Sequence, residues 1–467
     1  MLENNPNSKR SFVFFNRLTE RFTEARRKLD VVLIWAAISG LCIGFIATFL
    51  RYSVKFLILQ RSLVASVLAG YPILAWLIPS LISGVMVFLS FWLMRRFAPE
   101  TSGSGIPRVE GVLDGVFTFR AFRVLLVKLF GGILSMGAGM VAGFEGPTIQ
   151  MGSAVAKIIG SLAKTSPENI RILIAAGAGA GLAAAFNAPI AGILFITEEV
   201  RPKFESWSLA YRSVMIASVT ATISTRLFNG QQGAFLKITQ FERVPLGDLW
   251  MFGLLGIGLG VLGYGFNFFL FRALDWFGHL RGLAYRFTGL WVGCTIGFLA
   301  WLSPLATASD WQVLTGSGEG AIFWSFNQEP PGYLLLFVLI ARFALVMFCY
   351  GSGAIGGIFA PMLSISTLFS LSMARELNSW FPDQISQPAV FAVAGMGGLV
   401  AATVRAPLTA MMLTMELTNN YFIVVPLLVT SIFASISAHL LGGEPVYSVL
   451  LKRAYDKLQG KPQKDSV

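Results

Sequence analysis

Apolar runs long enough to cross a bilayer recur through most of this 467-residue chain, from Val31 to Leu441. Stretches such as VVLIWAAISGLCIGFIATFL (31–50), YPILAWLIPSLISGVMVFLSFWLM (71–94) and YLLLFVLIARFALVMFCY (333–350) approach or exceed the ~20 residues a membrane-spanning helix needs. With 55% hydrophobic and only 13% charged residues, the chain reads as an all-α, polytopic integral membrane protein. A soluble domain has no use for so many such runs.

The first thirty residues are polar and basic instead (NSKRSFVFFNRLTERFTEARRK), without the short apolar core followed by small residues that marks a cleavable signal peptide. Lys and Arg cluster there and again in LKRAYDKLQGKPQK at the other end. The positive-inside rule therefore puts both termini in the cytoplasm and implies an even number of net crossings. The expected organisation is a cytoplasmic basic segment over 1–30, a transmembrane domain over 31–451, and a cytoplasmic tail over 452–467 with no appended soluble domain, the chain lying in a cell (inner) membrane. The same clustering accounts for the net charge of +12. No charged stripe with interleaved aromatics falls on a polar segment, so nucleic acid is not an expected partner.

Cys42, Cys294 and Cys349 are odd in number, lie in apolar segments and show no CxxC spacing, and read as core packing. His279 and His439 are too few and too far apart for a histidine-based zinc site or an HExxH protease. No metal or other cofactor is expected.

The chain also matches itself. AAGAGAGLAAAFNAPIAGILFITEE (175–199) aligns with VAGMGGLVAATVRAPLTAMMLTMEL (393–417) at an offset of 218 residues, which puts Gly177, Ala188, Pro189 and Glu198 on Gly395, Ala406, Pro407 and Glu416. Upstream, GFEGP (143–147) aligns with GIFAP (357–361) at an offset of 214. The agreement in order and chemistry exceeds what shared membrane composition produces and reads as a duplication. The repeats run over about 31–230 and 245–451, with the division near the polar connection 226–247. Glycine- and proline-interrupted apolar segments at matching places in two halves are the pattern of transporters with inverted repeats, whose broken helices meet near the midplane.

GSGIPRVEG (103–111), GFEGPTIQMG (143–152) and GSGAIGGIFAPML (351–363) share one design. Glycines permit close backbone approach, and a proline in the first helical turn forfeits no hydrogen bond because that N–H is unpaired anyway. Each predicts a helix start beside apolar sequence. Helix N-termini carry free N–H groups and a partial positive charge, so several converging would bind an anion without a full cation, which would hold it too tightly for transport. Taken singly, each motif could also be a tight turn between packed membrane helices.

GSGIP, GxEGP and GxFAP in this order, with AAFNAPIAGILFITEE and GGEPVYS (442–448), resemble the motifs of the CLC family of chloride channels and chloride/proton antiporters. The match runs from roughly Val32 to Leu451. The resemblance implies a homodimer in the lipid bilayer, each subunit with its own ion pathway between inverted halves that meet at a central anion site. It implies Ser104 and Tyr447 as hydroxyl donors to chloride and the backbone amides of Ile358 and Phe359 as donors from the second half, with Gly105, Gly146 and Gly357 along the anion path. A hydroxyl suits this role because it donates a hydrogen bond and adds no net charge. The alternatives are an N-cap for Ser104 and an interfacial anchor for Tyr447. Two positions depart from the family pattern. Phe144 stands where a basic residue commonly precedes the acid of GxEGP, and Ile355 where a proline often precedes GGIFAP.

Within this frame Glu145 acquires a purpose. A carboxylate at a helix start suited to anions is itself an anion, held by the N–H groups that would hold chloride. Protonation removes its charge, loosens that hold and links proton uptake to anion entry. The alternative is a first-turn glutamate that only complements the helix dipole. Exchange also needs a proton route to the opposite side, and Glu199 in ITEEVRPKF occupies the position where the family's antiporters carry a glutamate. On residues alone it could be a solvated carboxylate paired with Arg201. Glu198, Glu416 and Lys128 read as structural.

The expected function is thus secondary active exchange of chloride for protons, without covalent chemistry. A passive chloride channel of the same family is the nearest rival. An intramembrane enzyme would need a nucleophile–base pair or a metal site, and neither stands out in the sequence.

Overall fold

The computed structural model describes residues 6–200, 204, 206–230, 244–309, 312–380 and 388–459, with 6–30 and 229 described through the backbone alone. The Arg201 partnership considered for Glu199 and most of the 226–247 connection lie outside the described residues. Among those described, the regular elements are helices, and the single strand-like feature is an antiparallel bridge between Gly143 and Gly357.

The first half comprises α1 (Pro6–Val67), α2 (Pro72–Phe97), α3 (Ile106–Leu113), α4 (Ala121–Gly137), α5 (Glu145–Leu162), α6 (Pro167–Phe186), α7 (Pro189–Phe195), which passes into a π-helical turn over Ile196–Val200, and α8 (Trp207–Asn229). The second comprises α9 (Leu249–Gly278), α10 (Gly282–Arg286), α11 (Thr288–Thr307), α12 (Glu319–Asn327), α13 (Gly332–Gly351), α14 (Phe359–Trp380), α15 (Pro388–Met396), α16 (Gly398–Val404), α17 (Pro407–Thr418), α18 (Val424–Leu440) and α19 (Val446–Leu458). Among the described residues, six segments are long and apolar enough to span a bilayer: Val31–Val67, Pro72–Phe97, Pro167–Phe186, Leu246–Gly278, Thr288–Thr307 and Gly332–Gly351. Ile34, Phe45, Phe56, Val85, Val261 and Ile340 point outward from these spans, an arrangement water would oppose and lipid accepts.

Small residues set how closely the inner helices approach. Where α5 crosses α6, a Cβ on Gly152 would lie 2.1 Å from the Gly177 carbonyl oxygen, and one on Gly177 2.2 Å from that of Gly152. Backbones touch there, as in membrane packing built on glycine and alanine.

The duplication is visible in backbone geometry. α6 stops at Asn187 and α16 at Arg405, repeat partners at the offset of 218, both in the left-handed region at φ 56° and 68°. Ala188 and Ala406 then turn the chain, and Pro189 and Pro407 start α7 and α17. The Glu198 carboxylate accepts the N–H groups of Leu408 (3.0 Å) and Thr409 (2.7 Å). Reciprocally, Glu416 accepts those of Ile190 (3.1 Å) and Ala191 (2.8 Å). Each acid lies late in its own segment and caps the start of the other, so α7 and α17 run antiparallel about a pseudo-twofold axis. This is the inverted relation of the halves, and it gives both acids a structural task.

The copies are not identical. α6 is continuous, whereas its counterpart is interrupted at Gly397 between α15 and α16. The reading of all three cysteines as core packing also needs correction: Cys349 is buried and Cys294 half-buried, but Cys42 is exposed on α1. A lipid-facing cysteine and a core cysteine both sit in apolar sequence, so the sequence does not separate them.

Candidate functional site

The three glycine-rich helix starts meet. Gly143 and Gly357 exchange backbone hydrogen bonds, each N–H donating to the other's carbonyl at 2.8 Å. The Gly356 N–H reaches the Gly103 carbonyl (3.3 Å), and the Gly103 N–H the Gly353 carbonyl (3.5 Å). A Cβ on Gly146 would lie 2.8 Å from Ser104 Cα. The starts of α3, α5 and α14 therefore share one small region, and each brings N–H groups that its own helix cannot satisfy.

The Glu145 carboxylate lies at the centre of this region, fully buried. Its Oε1 accepts the N–H of Phe359 at 2.7 Å and lies 3.4 Å from that of Ala360, at the N-terminus of α14. Oε2 is buried without a hydrogen-bond partner among the described residues. The flanking glycines make room: a Cβ on Gly143 would lie 2.0 Å from Oε2, and one on Gly357 2.1 Å from Oε1. At the offset of 214, Phe359 is the repeat partner of Glu145. The acid of one copy thus sits on the amide of its own counterpart, at the positive end of a helix dipole.

Around this pair stand the other residues picked out in the sequence. Phe359 packs edge-on to Phe195 (5.8 Å between centroids) and nearly parallel to Tyr447 (6.1 Å, 13°). Tyr447 is fully buried, and its hydroxyl has no hydrogen-bond partner among the described residues, so it is no interfacial anchor. Ser104 is buried as well. Its Oγ accepts from the Ile106 N–H (3.3 Å) and from the Tyr350 hydroxyl (3.3 Å), while Gly105, at φ 84°, is the residue flanking α3. Lys128 lies beneath this loop, donating to the carbonyls of Thr101 (2.9 Å) and Gly103 (2.7 Å). A buried lysine therefore stands near Ser104 with its Nζ hydrogens directed at backbone oxygens.

Glu199 is placed elsewhere. It lies in the π-helical turn after α7, half-buried, within electrostatic reach of Glu110 on α3. Glu110 is buried, with Oε1 unpartnered among the described residues. Sequence reasoning passed over Glu110, although it lies inside the quoted GSGIPRVEG, and over Tyr350, which directly precedes GSGAIGG. An acid four residues into a short apolar helix was the available signal for the first. Tyr350 offered none.

The two departures from the family pattern have separate surroundings. The Ile355 side chain fills the space that a Cβ on Gly131 would enter, 2.5 Å away. Phe144 lines, with Ala142, a cavity of about 530 Å³ beside the start of α5.

A family model described as voltage gated chloride channel matches residues 86–439. An H(+)/Cl(-) exchange transporter ClcA from Vibrio campbellii is 42% identical over 434 residues, covering 92% of this chain and 91% of that protein. The crystal structure of a slow cyanobacterial Cl−/H+ antiporter superposes with a TM-score of 0.88 at 52% identity, covering 92% of this chain and 99% of the other. A eukaryotic CLC transporter at 20% identity shares the fold, with a TM-score of 0.74.

Proposed function

Because this chain belongs to the voltage gated chloride channel family, we propose that it is a secondary active antiporter exchanging chloride for protons across a membrane. The observation that carries this reading is the Glu145 carboxylate on the Phe359 amide. A seat built from helix N-terminal N–H groups is a seat for an anion, and here the protein's own anion takes it.

Protonation changes the balance by a definable amount. A hydrogen bond to a charged acceptor contributes about 1.5–3 kcal/mol and one to a neutral acceptor about 0.5–1.5 kcal/mol. Neutralising Glu145 thus weakens its hold on Phe359 by on the order of 1 kcal/mol, and removes the repulsion between carboxylate and incoming chloride. Proton uptake and chloride entry then favour each other at one position. Glu145 serves as gate and proton acceptor. Ser104, Tyr447 and the amides of Ile358 and Phe359 hold chloride, with Gly105, Gly146 and Gly357 letting backbone approach the ion. The Tyr447 hydroxyl, without a hydrogen-bond partner among the described residues, is a donor ready for this role.

Glu199 serves as the internal proton relay, and its electrostatic reach to the buried Glu110 supports a role for a second carboxylate in the proton path. The protein works as a homodimer with both termini in the cytoplasm of the cell (inner) membrane, performs no covalent chemistry and uses no cofactor.

The rival within the family is a passive channel. Purified protein in liposomes given an outward chloride gradient and no proton gradient distinguishes them, with internal pH followed by a dye. An antiporter drives protons inward against their own gradient, and Glu199→Gln abolishes that movement while chloride still leaves. Chloride efflux without proton uptake in the unmodified protein makes it a channel, and full coupling in Glu199→Gln removes Glu199 from the path.

A further inference from the structure

Away from the anion seat, α2 and α11 lie antiparallel and pack through glycines. A Cβ on Gly297 would lie 2.7 Å from Ser80 Cα, one on Gly293 2.8 Å from Gly84 Cα, and one on Gly289 2.8 Å from Phe88 Cα. Gly289 is the last of the series, and the residues just before it are the bulky Tyr285, Arg286 and Phe287. Close approach ends there, and a groove of about 740 Å³ opens between the end of α2 and α10. Leu89, Trp92 and Tyr285 are among its apolar walls, its charged residues are Arg95, Arg96 and Arg286, and no acid lines it.

The arginines come from two separate elements, Arg95 and Arg96 from the last turn of the α2 membrane span and Arg286 from α10. Arg95 is held in place. Its guanidinium lies over the Tyr285 ring (4.0 Å from the centroid) and the Phe91 ring (5.2 Å), and its Nη1 donates to the Tyr285 carbonyl (2.7 Å). Arg96 and Arg286 are exposed. Among the described residues none of the three forms an ion pair with a carboxylate.

We propose that this groove binds one anionic phospholipid, with an acyl chain over Leu89 and Trp92 and the phosphate between Arg95, Arg96 and Arg286. Leu89 and Trp92 point outward from a membrane span, so an acyl chain covers them whichever lipid is present. The charge makes the choice. Guanidinium forks match phosphate oxygens in geometry, and a basic pocket between membrane helices favours a headgroup that brings no cation of its own. Snorkelling explains a single arginine at the end of a span, but not three from two elements gathered at one groove, one of them stacked on the groove's own tyrosine. α2 runs back along α1, with Arg61 on Ser83 and with Leu57 and Met86 both against Gly137. The site therefore lies toward the side on which the Val31–Val67 span begins, where the positive-inside rule places the cytoplasmic leaflet. A lipid bound there ties α10 to α2, and its binding does not depend on which ions the protein carries.

The test is native mass spectrometry of the purified, detergent-solubilised full chain with dioleoylphosphatidylglycerol or dioleoylphosphatidylcholine, with thermal stability followed in parallel. The unmodified protein is expected to retain phosphatidylglycerol preferentially and to gain a higher Tm from it. Arg96→Gln combined with Arg286→Gln is expected to weaken phosphatidylglycerol binding roughly tenfold and to cancel the Tm gain, with phosphatidylcholine binding unchanged. Arg123→Gln combined with Lys452→Gln loses the same charge at exposed positions outside the groove, and is expected to behave as the unmodified protein. Excess glycerol 3-phosphate is expected to leave the lipid in place, because the acyl chain contributes to binding. Equal retention of the two lipids overturns the proposal, as does a preference that survives in the groove variant or is lost equally in the control. Displacement by glycerol 3-phosphate also overturns it, since the groove would then be a phosphate site and no lipid site. If the groove variant does not fold, the lipid comparison and the glycerol 3-phosphate competition on the unmodified protein decide.

Discussion

The starts of α5 and α14 are one element used twice, and they differ where it matters. Both are Gly-x-x-x-Pro helix starts, bridged to each other by the hydrogen bonds between Gly143 and Gly357. One copy has Glu145 at the third position and the other Phe359. The pseudo-twofold arrangement converges two helix N-termini on one spot, which suits an anion. On the proposed reading, the substitution of one residue within that symmetry makes the spot responsive to protons: the second copy provides an amide, that of Phe359, and the first provides the carboxylate that accepts its hydrogen bond. α7 and α17 make the contrasting case. There the acid is present in both copies, Glu198 and Glu416, and each caps the other's helix. The symmetric acids hold structure, and the proposed function gives the asymmetric one to transport.

Breaking the asymmetry has the largest expected effect. Glu145→Gln leaves the amides of α14 in place but removes the titratable charge. Chloride-driven proton movement should fall to background while chloride permeation persists in the same liposomes. Preserved proton pumping rejects the gate, and loss of chloride flux in a folded variant makes Glu145 structural.

A smaller effect is expected from crowding the seat. Gly357→Ala sets a Cβ about where Oε1 lies, at 2.1 Å, so the carboxylate must leave the Phe359 amide. Chloride leak at neutral pH should rise severalfold and coupling should weaken. Gly265→Ala, where nothing lies within 4 Å of the new carbon, is the control. Equal behaviour of the two variants would mean the Glu145–Phe359 contact does not govern entry.

The smallest effect concerns anion choice. The family resemblance associates serine at position 104 with chloride and proline with nitrate. Ser104→Pro removes a hydroxyl donor and stiffens the turn, shifting the chloride-to-nitrate uptake ratio by about 1 kcal/mol, or about fivefold. An unchanged ratio in active protein would assign selectivity to the backbone amides.

Much of this was legible in the sequence, for physical reasons. Pro189, Pro407, Glu198 and Glu416 align at 218 residues because the reciprocal caps need all of them. The helix starts were readable because prolines and glycines restrict backbone geometry locally. What the sequence left hidden is contact between distant residues. Both offsets could be read from it, yet nothing local said that Glu145 would rest on Phe359. Arg51 sits in IATFLRYSVKF four residues before Lys55, and only the fold brings it over Phe144. Tyr350 lacks any distinguishing pattern, and the signal for Glu110 is only an acid within the short helix α3.

The central claim is that chloride and the Glu145 carboxylate compete for one set of N–H groups, and it can be measured without transport. Chloride added to purified, detergent-solubilised protein in weak buffer near neutral pH should displace the carboxylate and favour its protonated form, so protons are taken up and the solution becomes more alkaline. The uptake should saturate with chloride and be absent from Glu145→Gln at the same protein concentration. No pH change in the unmodified protein, or an equal change in Glu145→Gln, would contradict the account.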